Sequence, residues 1–123
     1  MLFDTTFWID LEEERRQGRR GPAHTFFAQH RTEPLSISII TWGELAPGYA
    51  DPFALDHFLR RINVMRVDRN VAWEASRIDR ELRGQRLAEN DNWIAATARH
   101  WQWRLVTREP GFARVRNLRV VSY

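Results

Sequence analysis

Four carboxylates, Asp4, Glu44, Asp91 and Glu109, are the side chains of this 123-residue sequence that could do chemistry together. Oxygen donors alone select hard divalent cations, Mg²⁺ or Mn²⁺ rather than zinc. One or two such ions, with water and a phosphate, make the standard equipment for phosphodiester hydrolysis. Each acid also has an ordinary explanation. Asp4 and Asp91 could cap helices, Glu44 could complete a capping box with Thr41, and Glu109 could be a solvated turn residue. As a set they are harder to dismiss. Two carboxylates about 6 Å apart repel by about 3 kcal/mol at an effective dielectric of about 20. A helix N-terminus returns only about 0.3–1 kcal/mol, so such a group needs protons or cations among its members.

Periodicity and punctuation give the elements that would position them. Residues 1–3 read as a short strand before Asp4, and Thr6 to about Arg16 as a helix. Gly18, Gly21 and Pro22 break the chain ahead of a helix over Ala23–His30. Leu35, Ile37, Ile39 and Ile40 make a β-rich run, after which Thr41 is a candidate N-cap. Pro52–Arg61 is predicted helical and Val64–Val67 a brief strand. Asp68 caps a helix marked by Val71, Ala75, Ile78 and Leu82 and closed by Gly84. Asn90/Asp91 caps another, with Ile94, Ala95, Ala98 and Trp101 on its apolar side. Arg104–Val106 and Leu118–Val121 are predicted strands on either side of a Glu109-Pro110-Gly111 turn.

Strands alternating with helices predict an α/β domain, a parallel sheet covered on both faces. In that architecture the strands' carboxyl ends and the helices' amino ends share one edge, where ligands bind. All four acids fall on that edge.

Composition narrows the chemistry further. The chain is 43% hydrophobic and 28% charged, ordinary values for one globular domain over residues 1–123. It has no cysteine, which excludes disulfide scaffolds, thiolate zinc sites and cysteine nucleophiles, and suits a reducing, cytoplasmic compartment. All 19 basic residues are arginine, so Schiff-base and Walker A chemistry are excluded as well. Residues 1–50 hold five arginines against seven acids and residues 51–123 fourteen against nine. A basic second half around retained carboxylates suits an anionic polymer, although many of these arginines need only solvate helices.

The opening segment is not a signal peptide and no stretch is long enough to span a membrane. His24, His30, His57 and His100 lack metal-ligand spacing, and Ser36 and Ser38 lack a nucleophile elbow. Trp8, Trp73 and Trp93 are expected to pack. Trp42, just before Glu44, is a candidate to touch substrate, and Arg108, just before Glu109, a candidate phosphate contact.

LFDTTFWIDL, SIITWGELAPG, NDNWIAATA and LVTREPGFARVRNLRVV together resemble the PIN-domain family, and in particular VapC-type toxins of toxin–antitoxin pairs. The resemblance covers essentially the whole chain. It implies a Rossmann-like fold with about five parallel strands. It also implies a Mg²⁺- or Mn²⁺-dependent endoribonuclease with Asp4, Glu44 and Asp91 as catalytic acids and metal ligands, and Glu109 as an auxiliary one. A tRNA or rRNA loop as substrate, a cognate antitoxin and a homodimer follow from the same likeness. The antitoxin would push a basic side chain among the acids and pack on Phe7, Leu11, Phe26 and Phe27. Thr6 stands where the family usually has asparagine, and Glu109 where it usually has aspartate. These departures keep two other readings in view: a catalytically weak RNA-binding or regulatory module, and an RNA-processing nuclease without an antitoxin.

Overall fold

A computed structural model describes residues 1–123. The elements run β1 (Leu2–Phe3), α1 (Thr5–Arg16), α2 (Pro22–His30), β2 (Ser36–Ser38), α3 (Ile39–Leu45), α4 (Pro52–Phe58) and β3 (Asn63–Met65). They continue through α5 (Arg69–Glu81), α6 (Glu89–Trp101), β4 (Leu105–Val106) and β5 (Val120–Val121), with 3-10 turns at Ala46–Gly48 and Pro110–Arg114. The five strands form one sheet in the order β3-β2-β1-β4-β5, and every neighbouring pair is parallel. The expected α/β architecture is therefore the observed one.

The two-residue period of a strand divides the core. Phe3, Ile37 and Val106 face one side, where they pack with Phe7, Trp8, Leu11 and Phe26 of α1 and α2. Leu2 and Leu105 face the other, against Val71, Ala75 and Ile78 of α5 and Ile94, Ala95 and Ala98 of α6. The first side is an aromatic nest: Phe3 lies 4.5 Å from Phe7 and Phe7 lies 5.3 Å from Trp8, ring centre to ring centre.

Several expectations shift. The strand predicted through Ile40 stops at Ser38, whose hydroxyl accepts the Ile40 N–H and starts α3 two residues before Thr41. Thr41 is thus inside the helix, and the Thr41–Glu44 capping box does not form. Asp91 is the third residue of α6, which Ala88 precedes without a side-chain cap. The helix expected to Arg61 ends at Phe58. Phe7, Leu11 and Phe26 are core residues, whereas Phe27 stays partly exposed. Trp8 packs as expected, but Trp73 is 62% exposed and Trp101 lies in solvent stacked on Trp103.

Sequence reading gave no role to Glu14, a buried charge on α1. Its carboxylate accepts the N–H groups of Ala23 and His24 at 3.0 and 2.8 Å. Gly21 offers no side-chain cap, so Glu14 caps α2 from the neighbouring helix. A Cβ at Gly21 would stand 2.5 Å from the Glu14 carboxyl carbon, which accounts for glycine there.

Candidate active site

Strand register sets the centre of the site. Phe3 pairs with Val106 on one side and with Ile37 on the other, so the next residues, Thr107, Asp4 and Ser38, stand side by side as the chain leaves the sheet. Asp4 is buried and caps α1: its Oδ1 accepts the Phe7 N–H at 3.1 Å and the Thr6 hydroxyl at 2.7 Å. Its Oδ2 accepts the Thr107 hydroxyl. Capping and site chemistry are therefore not alternatives for Asp4, because one lone pair can be used for the helix while others remain. Thr6, where the resembling family usually has an amide, still orients the first acid through its hydroxyl.

Glu44 projects from α3 and is exposed, with Oε1 2.6 Å from the Thr5 hydroxyl that donates to it. Asp91 is half-buried in the first turn of α6, where the helix N-terminus favours a negative charge. Glu109 is exposed just beyond β4, and its backbone N–H donates to the Thr107 hydroxyl at 2.9 Å.

None of the four acids takes an arginine partner. Elsewhere Glu13, Glu33, Glu74, Asp79, Glu81 and Asp10 all do. Burial, then the charges of Glu44, Asp4 and Glu109, push the Asp91 carboxyl above the usual carboxylate range. Asp4 is pushed up mainly by burial, with Glu109 adding; Thr107, Thr6 and the Phe7 amide oppose that rise. The four groups thus share one field. They are not drawn into a closed ligand set: no three acidic or histidine side chains are close enough to enclose an ion. Glu44 and Glu109 extend into solvent instead. The donor chemistry nevertheless fits a hard dication, being all carboxylate and uncompensated by arginine, with Asp4 and Asp91 destabilised in their ionised forms.

The two candidate RNA contacts fall differently. The Trp42 indole N–H donates to Asp56 of α4 at 3.0 Å, and its ring packs on the aromatic core. Arg108 stays at the rim, paired with Asp10 at 2.8 Å. Sequence reasoning missed Thr5, Thr6 and Thr107 as orienting groups. The register of β1 against β4 is the signal that would have found Thr107.

The sequence matches the PIN domain family over residues 1–118. The chain belongs to the PIN-domain family. This PIN domain superimposes on a chain of a toxin–antitoxin complex from Klebsiella pneumoniae with TM-score 0.74 and 30% identity, over 98% of this chain and 94% of that one. It superimposes on VapBC2 from Rickettsia felis, bound to a promoter DNA fragment, with TM-score 0.81 and 21% identity, over 98% and 96%. For VapBC-1 from nontypeable Haemophilus influenzae the TM-score is 0.80 at 24% identity, over 98% and 96%. No curated protein sequence is similar enough to count as a match. No helix of this PIN domain is long and apolar enough to cross a membrane.

Proposed function

We propose that this PIN domain is a metal-dependent endoribonuclease and the toxin of a type II toxin–antitoxin pair, working in the cytoplasm on a tRNA or rRNA loop. The observation that carries the reading is Asp91: half-buried, without a hydrogen-bond or ion-pair partner, and facing three further carboxylates in a chain with 19 arginines. Asp4, Glu44 and Asp91 would hold Mg²⁺ or Mn²⁺, with Glu109 as an outer ligand. Such an ion, when bound, lowers the pKa of a coordinated water and neutralises charge at the scissile phosphate. The chain's own residues prepare for this. Thr6, Thr107 and the Phe7 amide fix the plane of Asp4, and Thr5 restrains Glu44. Unpaired loop bases can be splayed toward such an edge, whereas a duplex cannot.

The early helices supply a docking place for an antitoxin segment. Trp8, Leu11, Phe27 and Phe58 line a groove of about 210 Å³ flanked by Arg60 and Arg61. Trp8 Nε1 is the one buried side-chain polar atom without a partner. Neither Arg60 nor Arg61 is paired with a carboxylate. An apolar segment carrying a carboxylate would fill this groove and pair with the two arginines. A homodimer in which each subunit carries one acid edge belongs to the same reading.

Expression tests it. The chain alone should arrest growth, the small protein encoded beside it should restore growth, and the Asp91→Asn variant should be harmless while still binding that neighbour. Normal growth under strong induction of soluble wild-type chain would remove the toxin assignment.

A further inference from the structure

Where β4 leaves the sheet, three consecutive residues go separate ways. Thr107 turns inward to Asp4, and Glu109 is exposed at the acid edge. Arg108 reaches across α1 to Asp10, where its Nη2 lies 2.8 Å from both carboxylate oxygens. The Tyr123 hydroxyl donates to Asp10 Oδ2 at 2.5 Å, and the Arg108 guanidinium lies 5.7 Å from the centre of the Tyr123 ring. Tyr123 is itself wedged on Phe7, 5.0 Å away ring to ring, and Phe7 belongs to the buried nest behind Asp4. The arginine is thus fixed from two sides onto a rigid part of the core.

Stability does not explain this arrangement. Arg108 is 57% exposed, and exposed ion pairs contribute about 0–1 kcal/mol. What the arrangement does achieve is placement. One nitrogen is engaged, while Nε and Nη1 have no partner in the protein. The guanidinium is therefore held against α1 and Tyr123, on the residue between Thr107 and Glu109, with donors left over, and a held arginine loses less side-chain entropy on meeting a phosphate than a free one.

We propose that Asp10 and Tyr123 are positioning residues that hold Arg108 as a backbone-phosphate contact for RNA entering the acid edge, an inference that rests on the nuclease reading above. Asp10 acts here by holding the guanidinium through charge-assisted bonds at both its oxygens, which an amide cannot reproduce, and not by neutralising it. A carboxylate that merely cancelled the arginine would weaken RNA binding, and its removal would then tighten it.

The opposite signs make the test decisive. RNA affinity is measured with labelled bulk tRNA on the full chain in the Asp91→Asn background across a salt series. Arg108→Ala should weaken binding at least about 5-fold and lower the slope of log K against log salt by about 0.7, one phosphate contact on a single strand. Asp10→Asn and Tyr123→Phe should weaken binding in the same direction, and Asp10→Asn should add nothing once Arg108 is alanine. Arg108→Lys should recover part of the loss, and in cleavage by the Asp91-bearing chain the deficits should fall on KM more than on kcat. Tighter binding by Asp10→Asn, or an equal additional loss in the Arg108→Ala background, overturns the proposal. If the wild type binds tRNA but does not cut it, the nuclease reading fails while the binding series still decides this one.

Discussion

Thr107 bonds in two directions at once, giving its hydroxyl proton to Asp4 Oδ2 and accepting the Glu109 backbone N–H at 2.9 Å. It thereby ties the acid at the end of β1 to the loop after β4. Thr107→Val keeps the volume and the β preference but removes both bonds. The Asp4 carboxyl should then rise further, since Thr107 is the foremost of the bonds holding it down. Loss of such an orienting partner costs about 10–100-fold in metal affinity or activity. Cleavage should fall by that amount, its acidic pH limb should move upward, and Thr107→Ser should restore both. A pH–rate profile of the three proteins checks it.

Among the acids themselves, Asp4→Asn, Glu44→Gln and Asp91→Asn should each reduce cleavage by about 10² or more, the scale of a lost electrostatic contact. Glu109→Gln, at an exposed position, should cost about 10-fold. Circular dichroism should show all four folded. An amide at position 4 can still accept the Phe7 N–H, so α1 keeps its cap.

Metal and pH should act on stability through the same groups. A carboxyl whose folded pKa lies above its unfolded value holds its proton more tightly when folded. Stability therefore falls as pH rises from the ordinary carboxylate range through the raised value, and stays lower above it. Asp4 and Asp91 are of this kind. Without metal, Asp91→Asn should melt above wild type at neutral pH, and the gap should close on acidification. Millimolar Mg²⁺ or Mn²⁺ should raise the wild-type melting temperature by mass action and leave the Asp4/Glu44/Asp91 triple variant unmoved. Differential scanning fluorimetry at two pH values reads both effects.

Glu14 should behave in the opposite way. Burial opposes its ionisation, but the N–H groups of His24, Ala23 and Gly21, with Arg19, outweigh burial and hold it below the usual glutamate value. Its contribution is present above the unfolded pKa and is lost as pH falls through the folded one. Glu14→Ala, which strands two α2 amides, should cost about 1–3 kcal/mol, and Gly21→Ala should also destabilise by forcing the carboxylate aside. Urea unfolding at neutral pH measures both.

The fold class was legible because α5 and α6 carry regular apolar repeats and each strand is a short β-rich run. Boundaries were less legible where a local signal competed with tertiary structure. Ile39 and Ile40 read as strand by β-branching, yet the Ser38 hydroxyl starts a helix there. The acids were legible through topology at three positions, since Asp4 and Glu109 follow strands and Asp91 lies in the first turn of α6; Glu44, expected in a first turn, lies instead near the end of the short α3. Their partners were not. Thr5, Thr6 and Thr107 are unremarkable in sequence and become orienting groups only through the β1–β4 register and the approach of α3 to α1. The early phenylalanines misled for a related reason. Phe7 and Phe26 were expected to take an antitoxin, but with Phe3 and Trp8 they form the core on one face of the sheet.

The most direct measurement of the central claim is RNA cleavage by purified wild-type and Asp91→Asn chains, on total tRNA and rRNA, with Mg²⁺ or Mn²⁺ and then with EDTA. An acid edge that works through a divalent ion predicts discrete cleavage by the wild type with either metal and none in EDTA. Adding metal back in excess should restore it, and the Asp91→Asn chain should remain folded and inactive throughout. Cleavage that persists in EDTA, or that Asp91→Asn retains at the wild-type rate, would contradict the account.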